Sequence, residues 1–112
     1  MKYILIDADT GIDDSIAILF ALKRPVVGIT TGFGNTYASQ AADNSLRLIQ
    51  LAAPAYEVPV AVGATAPLQG EWEGPVPHIH GENGIGGAQL PPAAQQPLEE
   101  PAWDFIIRMA RE

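Results

Sequence analysis

The sequence predicts an α/β fold: a parallel sheet with helices on both faces. Three observations predict it. Short apolar runs rich in β-branched residues alternate with helical patterns along the first 62 residues. Each connection is long enough for a crossover helix rather than a hairpin. A cluster of carboxylates follows the first run directly, at the strand end where open α/β sheets place their ligands.

Residues 3–6 (YILI) form the first strand, a continuous apolar run of the kind buried on both faces. Ser15 to Leu22 is apolar almost all round and predicts a buried helix, which Lys23, Arg24 and Pro25 end. Val26 to Thr31 is the second strand, again β-branched. It runs into Gly32-Phe33-Gly34-Asn35, a loop with two glycines. Over Thr36 to Ala53, the residues Ala42, Leu46, Ile49 and Ala53 recur at three- and four-residue steps and predict a second helix, closed by Pro54. Val58 to Val62 is the third strand, with Pro59 near its start, where a missing N–H is tolerated.

Residues 63–100 then break the rhythm with a long Gly/Pro-rich segment, of the length usual for functional lids or disordered stretches. Both histidines, His78 and His80, lie at its centre. Pro101 suits the opening of a last helix over Ala102 to Glu112, whose apolar residues include Trp103, Phe105, Ile106, Ile107 and Met109. A doubly wound sheet continues with another strand after such a helix. Residues 1–112 are therefore expected to be the N-terminal part of a larger α/β domain, with 63–100 as its long active-site loop.

A 112-residue chain holds one domain at most, with 47% hydrophobic and 17% charged residues, which argues against disorder. The formal charge of -7, with only six Lys and Arg, disfavours nucleic acid as a partner. Cysteine is absent, which excludes thiolate metal sites and Cys nucleophiles. No apolar stretch reaches the length of a membrane span, and the apolar run after Lys2 is too short for a signal peptide. A cytoplasmic protein is the expectation.

Asp7, Asp9, Asp13 and Asp14 place four carboxylates within eight residues. On a strand, Asp7 and Asp9 share a side, about 6.6 Å apart along the chain. Asp13 and Asp14 fall at the start of the first helix, where unpaired N–H groups favour each carboxylate by about 0.3–1 kcal/mol. Two carboxylates about 4 Å apart in a partly screened site repel by roughly 4 kcal/mol. Such a cluster calls for a proton, a basic partner or a metal. The nearest bases, Lys2, Lys23 and Arg24, lie beyond the far ends of strand and helix. An all-oxygen donor set suits Ca²⁺ or Mg²⁺ better than zinc.

An EF-hand loop counted from Asp7 fails, because its fifth, sixth and twelfth positions hold Gly11, Ile12 and Ile18. Haloacid-dehalogenase-like phosphatases also carry D-x-D, but want Thr or Val where Gly11 stands. The full stretch Asp7-Ala8-Asp9-Thr10-Gly11-Ile12-Asp13-Asp14 resembles the D-x-D-x-G-x-D-D signature of the inosine-uridine-preferring nucleoside hydrolases. Ile29 to Asn35 is similar to that family's second-strand motif ending in Gly-Asn. His78 to Gly86 is similar to its H-x-H-G-x-x-G-x-G loop. Their order and approximate spacing agree, so the resemblance covers nearly the whole chain.

The resemblance implies a Rossmann-like, nucleoside hydrolase-like fold and hydrolysis of the N-glycosidic bond of ribonucleosides to ribose and free base, with bound Ca²⁺. It implies that Asp9 and Asp14 are metal ligands, with Asp9 also the base that takes a proton from the metal-bound water. Asp13 would bond ribose hydroxyls, Asn35 would sit beside water and sugar, and Asp7 would stand behind the others and steady them. His80, with His78 beside it, would meet the nucleobase from a mobile flap. Trp72 is read as an anchor for that loop rather than a base-stacking residue. Family members are more than twice as long, and their later part supplies the other ligands. Two alternatives accompany this reading: a non-catalytic partial domain that binds metal or self-associates as a homo-oligomer, and a haloacid-dehalogenase-like phosphatase.

Overall fold

The computed structural model describes residues 3–75, 80–81, 83–87 and 89–111. His78 lies outside the described residues. Strands β1 (Ile4–Ala8), β2 (Val26–Thr31) and β3 (Val60–Val62) form one parallel sheet in the order β1-β2-β3. Helix α1 (Ile12–Ala21) connects β1 to β2, and α2 (Ala38–Ala52) connects β2 to β3. Helix α3 (Ala102–Ala110) follows the long segment.

Period-two alternation sorts the sheet residues onto two faces. On one face Ile4, Ile6, Ile29 and Val60 pack with Ile18 of α1 and with Leu46 and Ile49 of α2. On the other, Leu5 and Ala61 meet Ala102 and Phe105 of α3. The predicted arrangement of helices on both faces of a parallel sheet is therefore observed. Gly28 makes the second face possible: a Cβ there would lie 2.3 Å from the Phe105 ring, so only glycine lets the fully buried ring reach the strand.

Two expectations are corrected. The apolar stretch from Ser15 to Leu22 predicts a helix buried all round, yet Ile16 is 68% and Phe20 74% exposed, and Ile18 is the buried residue of α1. Helix α2 and the sheet cover one side of α1, and among the described residues nothing covers the other. The helix runs from Ile12, so Asp13 and Asp14 fall in its first turn as expected, where carboxylates favour helix initiation. The third strand is shorter than predicted, since Pro59 has no N–H to give; its carbonyl still accepts from the Ile29 N–H at 2.9 Å.

The second half of the long segment is tied down. Arg47 Nη1 donates to the Leu90 carbonyl at 2.7 Å, and Gln50 bonds Pro92 and Ala94. The Leu98 N–H reaches the Val60 carbonyl at 2.8 Å, extending the sheet by one bridge beside β3. No helix among the described residues is long and apolar enough to cross a membrane.

Candidate active site

The site is built where β1 ends and α1 begins. Gly11 is the N-cap of α1, and Asp14, three residues on, accepts the Gly11 N–H at 3.3 Å. This is the reciprocal half of a capping box, with a carboxylate in the position that box favours. Asp14 also shares a side-chain hydrogen bond with Asp9. Burial, that shared bond, and the charges of Asp13 and Asp9 hold the Asp14 proton above the ordinary carboxylate range, against a smaller opposing pull from the Gly11 N–H. Two carboxylates thus meet at the helix start, and the proton of Asp14 is held more tightly for it.

Asp9 is oriented from the other side by the loop after β2. The Asn35 N–H donates to Asp9 Oδ2 at 2.8 Å. Gly34 lets the loop come this close, because a Cβ there would stand 2.2 Å from the same oxygen. The Asn35 side chain and the His80 ring both lie over Gly11: a Cβ at that residue would be 2.6 Å from His80 Nδ1 and 2.9 Å from Asn35 Nδ2. His80 Nδ1 accepts the Ile12 N–H at 3.1 Å, which satisfies one of the orphan donors of α1. The proton of the neutral ring then sits on Nε2.

The acidic turn carrying Asp9 and Asp14, the loop at Asn35 and the segment at His80 therefore meet around Gly11 from three parts of the chain far apart in sequence. Asp13 is exposed in the first turn of α1. Asp7 is exposed as well, and its Oδ1 accepts the Thr30 hydroxyl at 2.6 Å, across to its register partner on β2.

Sequence reading missed the residue that joins the acidic turn to the glycine-rich loop. Asn44 is 1% exposed, and its Nδ2 donates to the Thr10 carbonyl at 3.2 Å and to the Asn83 carbonyl at 2.8 Å. Next to it, the buried Ser45 hydroxyl bonds that of Thr10 at 2.9 Å. The available signal was polar residues on the inward arc of an amphipathic helix, since buried polar groups require partners.

The donor chemistry at Asp9 and Asp14, all carboxylate oxygen, fits a hard divalent cation, whose charge would offset the crowding of negative groups that raises Asp14. The fit is that of a partial shell: among the described residues no three His, Cys, Asp or Glu groups gather to hold a metal.

The sequence profile of the inosine-uridine preferring nucleoside hydrolases matches residues 4–112. The chain belongs to this family. As a nucleoside hydrolase family member it is 39% identical to uridine nucleosidase 1 of Arabidopsis thaliana, over 97% of this chain and 33% of the relative. It is 33% identical to a pyrimidine-specific ribonucleoside hydrolase of Shewanella baltica, over 99% of this chain and 35% of that one. Among solved structures, a purine-preferring ribonucleoside hydrolase from Gardnerella vaginalis superposes with a TM-score of 0.87 at 36% identity, covering 99% of this chain and 37% of that chain. A plant nucleoside hydrolase gives 0.88 at 35% identity, covering 98% and 36%. The chain spans about a third of the length of the curated relatives it matches. Its match to nucleoside hydrolases leaves the haloacid-dehalogenase-like reading without support.

Proposed function

We propose that this chain supplies the acidic, metal-holding part of an enzyme that hydrolyses the N-glycosidic bond of ribonucleosides to ribose and free base. The observation that carries the proposal is the pairing of Asp9 with Asp14 at the carboxyl end of β1, under Asn35 and His80. In this reading residues 1–112 are the N-terminal part of the nucleoside hydrolase unit, and 63–100 form its active-site loop. Asp9 and Asp14 would hold Ca²⁺, which would supply Lewis-acid activation of water beside the sugar. The other ligands come from the further two thirds that the relatives possess.

The chain's own residues then divide the work. Asp9 takes the proton of the attacking water on a carboxylate oxygen, and the Asn35 N–H keeps that carboxylate turned toward the site. Exposed Asp13 bonds the ribose hydroxyls. The negative field of the three carboxylates stabilises the oxocarbenium-like sugar as the bond to the base breaks. Asp7 steadies the strand end through Thr30. His80, with Nδ1 committed to Ile12, offers Nε2 to the base. The relatives' names include uridine-, pyrimidine- and purine-directed enzymes, so the reading is for ribonucleosides as a class. A cytoplasmic location completes it.

A chimera in which this chain replaces the matching third of the Arabidopsis uridine nucleosidase tests the proposal. It should release ribose from uridine or inosine in the presence of Ca²⁺, and Asp9→Ala should abolish that release. A folded chimera inert to both nucleosides would contradict the reading. The exposed stripe of Ile12, Ile16 and Phe20 on α1 favours a second reading for the isolated chain, self-association through that face. Sedimentation velocity decides it: a strict monomer at high concentration excludes this version.

A further inference from the structure

The loop that orients Asp9 is itself held by an aromatic residue from the long segment. Trp72 is half-buried, with its ring 5.2 Å from Phe33 and edge-on to Tyr37 at 5.4 Å. Its indole N–H donates to the Gly34 carbonyl oxygen at 3.2 Å. That carbonyl and the Asn35 N–H belong to one peptide group. Because the group is planar and trans, its C=O and N–H point in opposite directions, and fixing one fixes the other. The peptide therefore lies between two partners: Trp72 on its oxygen and Asp9 Oδ2 on its N–H, at 2.8 Å.

The clamp has a reason to exist. Gly34 cannot carry a side chain next to Asp9, and a glycine before this peptide leaves the plane free to rotate. A rotation would turn a carbonyl oxygen toward the Asp9 carboxylate in place of the N–H. Donation to the carbonyl also polarises the peptide and strengthens the N–H as a donor.

We propose that Trp72 is a positioning residue for Asp9, locking the Gly34–Asn35 peptide so that its N–H faces the carboxylate. The proposal rests on the reading of Asp9 as a metal-holding group, and its test separates the two. Trp72→Phe keeps a ring between Phe33 and Tyr37 but removes the N–H. In the ¹⁵N-labelled chain this variant should speed amide exchange at Asn35 by about tenfold, while the Gly32 amide, bonded to Ala8 in the sheet, is unchanged. Ca²⁺ affinity should fall by about threefold to tenfold, the range for one lost hydrogen bond. In the unmutated chain, Ca²⁺ should shift the indole N–H resonance of Trp72 and leave that of Trp103, exposed on α3, in place. A Trp72→Phe chain with wild-type Asn35 exchange would overturn the proposal and reduce Trp72 to packing. An unmutated chain that ignores Ca²⁺ would overturn the metal reading instead, and the Asn35 amide would still decide the role of Trp72.

Discussion

Substituting Gly11 by alanine perturbs the candidate site with little damage to the fold, and its size follows from the geometry. The residue's φ of -105 and ψ of -157 are extended, so alanine meets no left-handed strain. The cost is steric. The new Cβ would lie 2.6 Å from His80 Nδ1, against an ordinary contact of 3.4 Å or more, so the ring must retreat by about 0.8 Å. That takes Nδ1 beyond bonding distance from the Ile12 N–H, now 3.1 Å away, at a net cost of about 0.5–1.5 kcal/mol. Alanine is also a slightly poorer N-cap than glycine, while its lower freedom in the unfolded chain returns about 0.4–1 kcal/mol. The expected loss is about 1 kcal/mol in urea unfolding followed by tryptophan fluorescence. In NMR the His80 Nδ1 resonance should move to that of an unbonded ring nitrogen. A loss above about 3 kcal/mol, or an unmoved His80 resonance, would show that the His80 ring does not rest on Gly11.

Other consequences follow from single contacts. Gly28→Ala should cost about 1–3 kcal/mol by overpacking against Phe105, and a second change, Phe105→Leu, should recover part of that; additive losses in the double variant would show that the two residues are not coupled. Asp14 has a folded-state proton affinity raised above the ordinary value near 3.8, so its ionisation works against the fold. Stability tied to its proton is present at low pH and lost as pH rises through the raised value. Asp14→Asn should remove that slope and leave the chain more stable than wild type at pH 7 without Ca²⁺; a less stable variant would contradict the cause assigned to the shift. Ala53 ends α2 in the left-handed region with φ of 48, where glycine fits without penalty. Ala53→Gly should raise stability by about 0.5–1 kcal/mol in the same urea assay, and a loss would contradict the strain.

The parts of this fold legible in the sequence are those written in local periodicity. The runs around Leu5, Ile29 and Ala61 announce strands, and Ala42, Leu46 and Ile49 announce the inner face of α2, because neighbours in sequence share those faces. The acidic stretch was legible for the same reason: Asp9 and Asp14 lie five residues apart across one turn. What could not be read is contact between distant segments. Nothing near Gly28 hints at Phe105, and nothing near Gly11 announces His80, 69 positions away. The exposure of Phe20 was misjudged because an apolar residue shows what it prefers, while burial depends on whether another element arrives to cover it. Asn44 carries no local mark of its role, because its partners, Thr10 and Asn83, come from two other parts of the chain.

The proposed function stands on Asp9 and Asp14 together forming part of a cation site. Isothermal calorimetry with Ca²⁺ on the unmutated chain and on the Asp9→Asn, Asp14→Asn double variant tests it most directly. The unmutated chain should bind saturably, and weakly because the shell is partial, and the double variant should not bind. Equal heats from both chains, or none from the unmutated one, would contradict it.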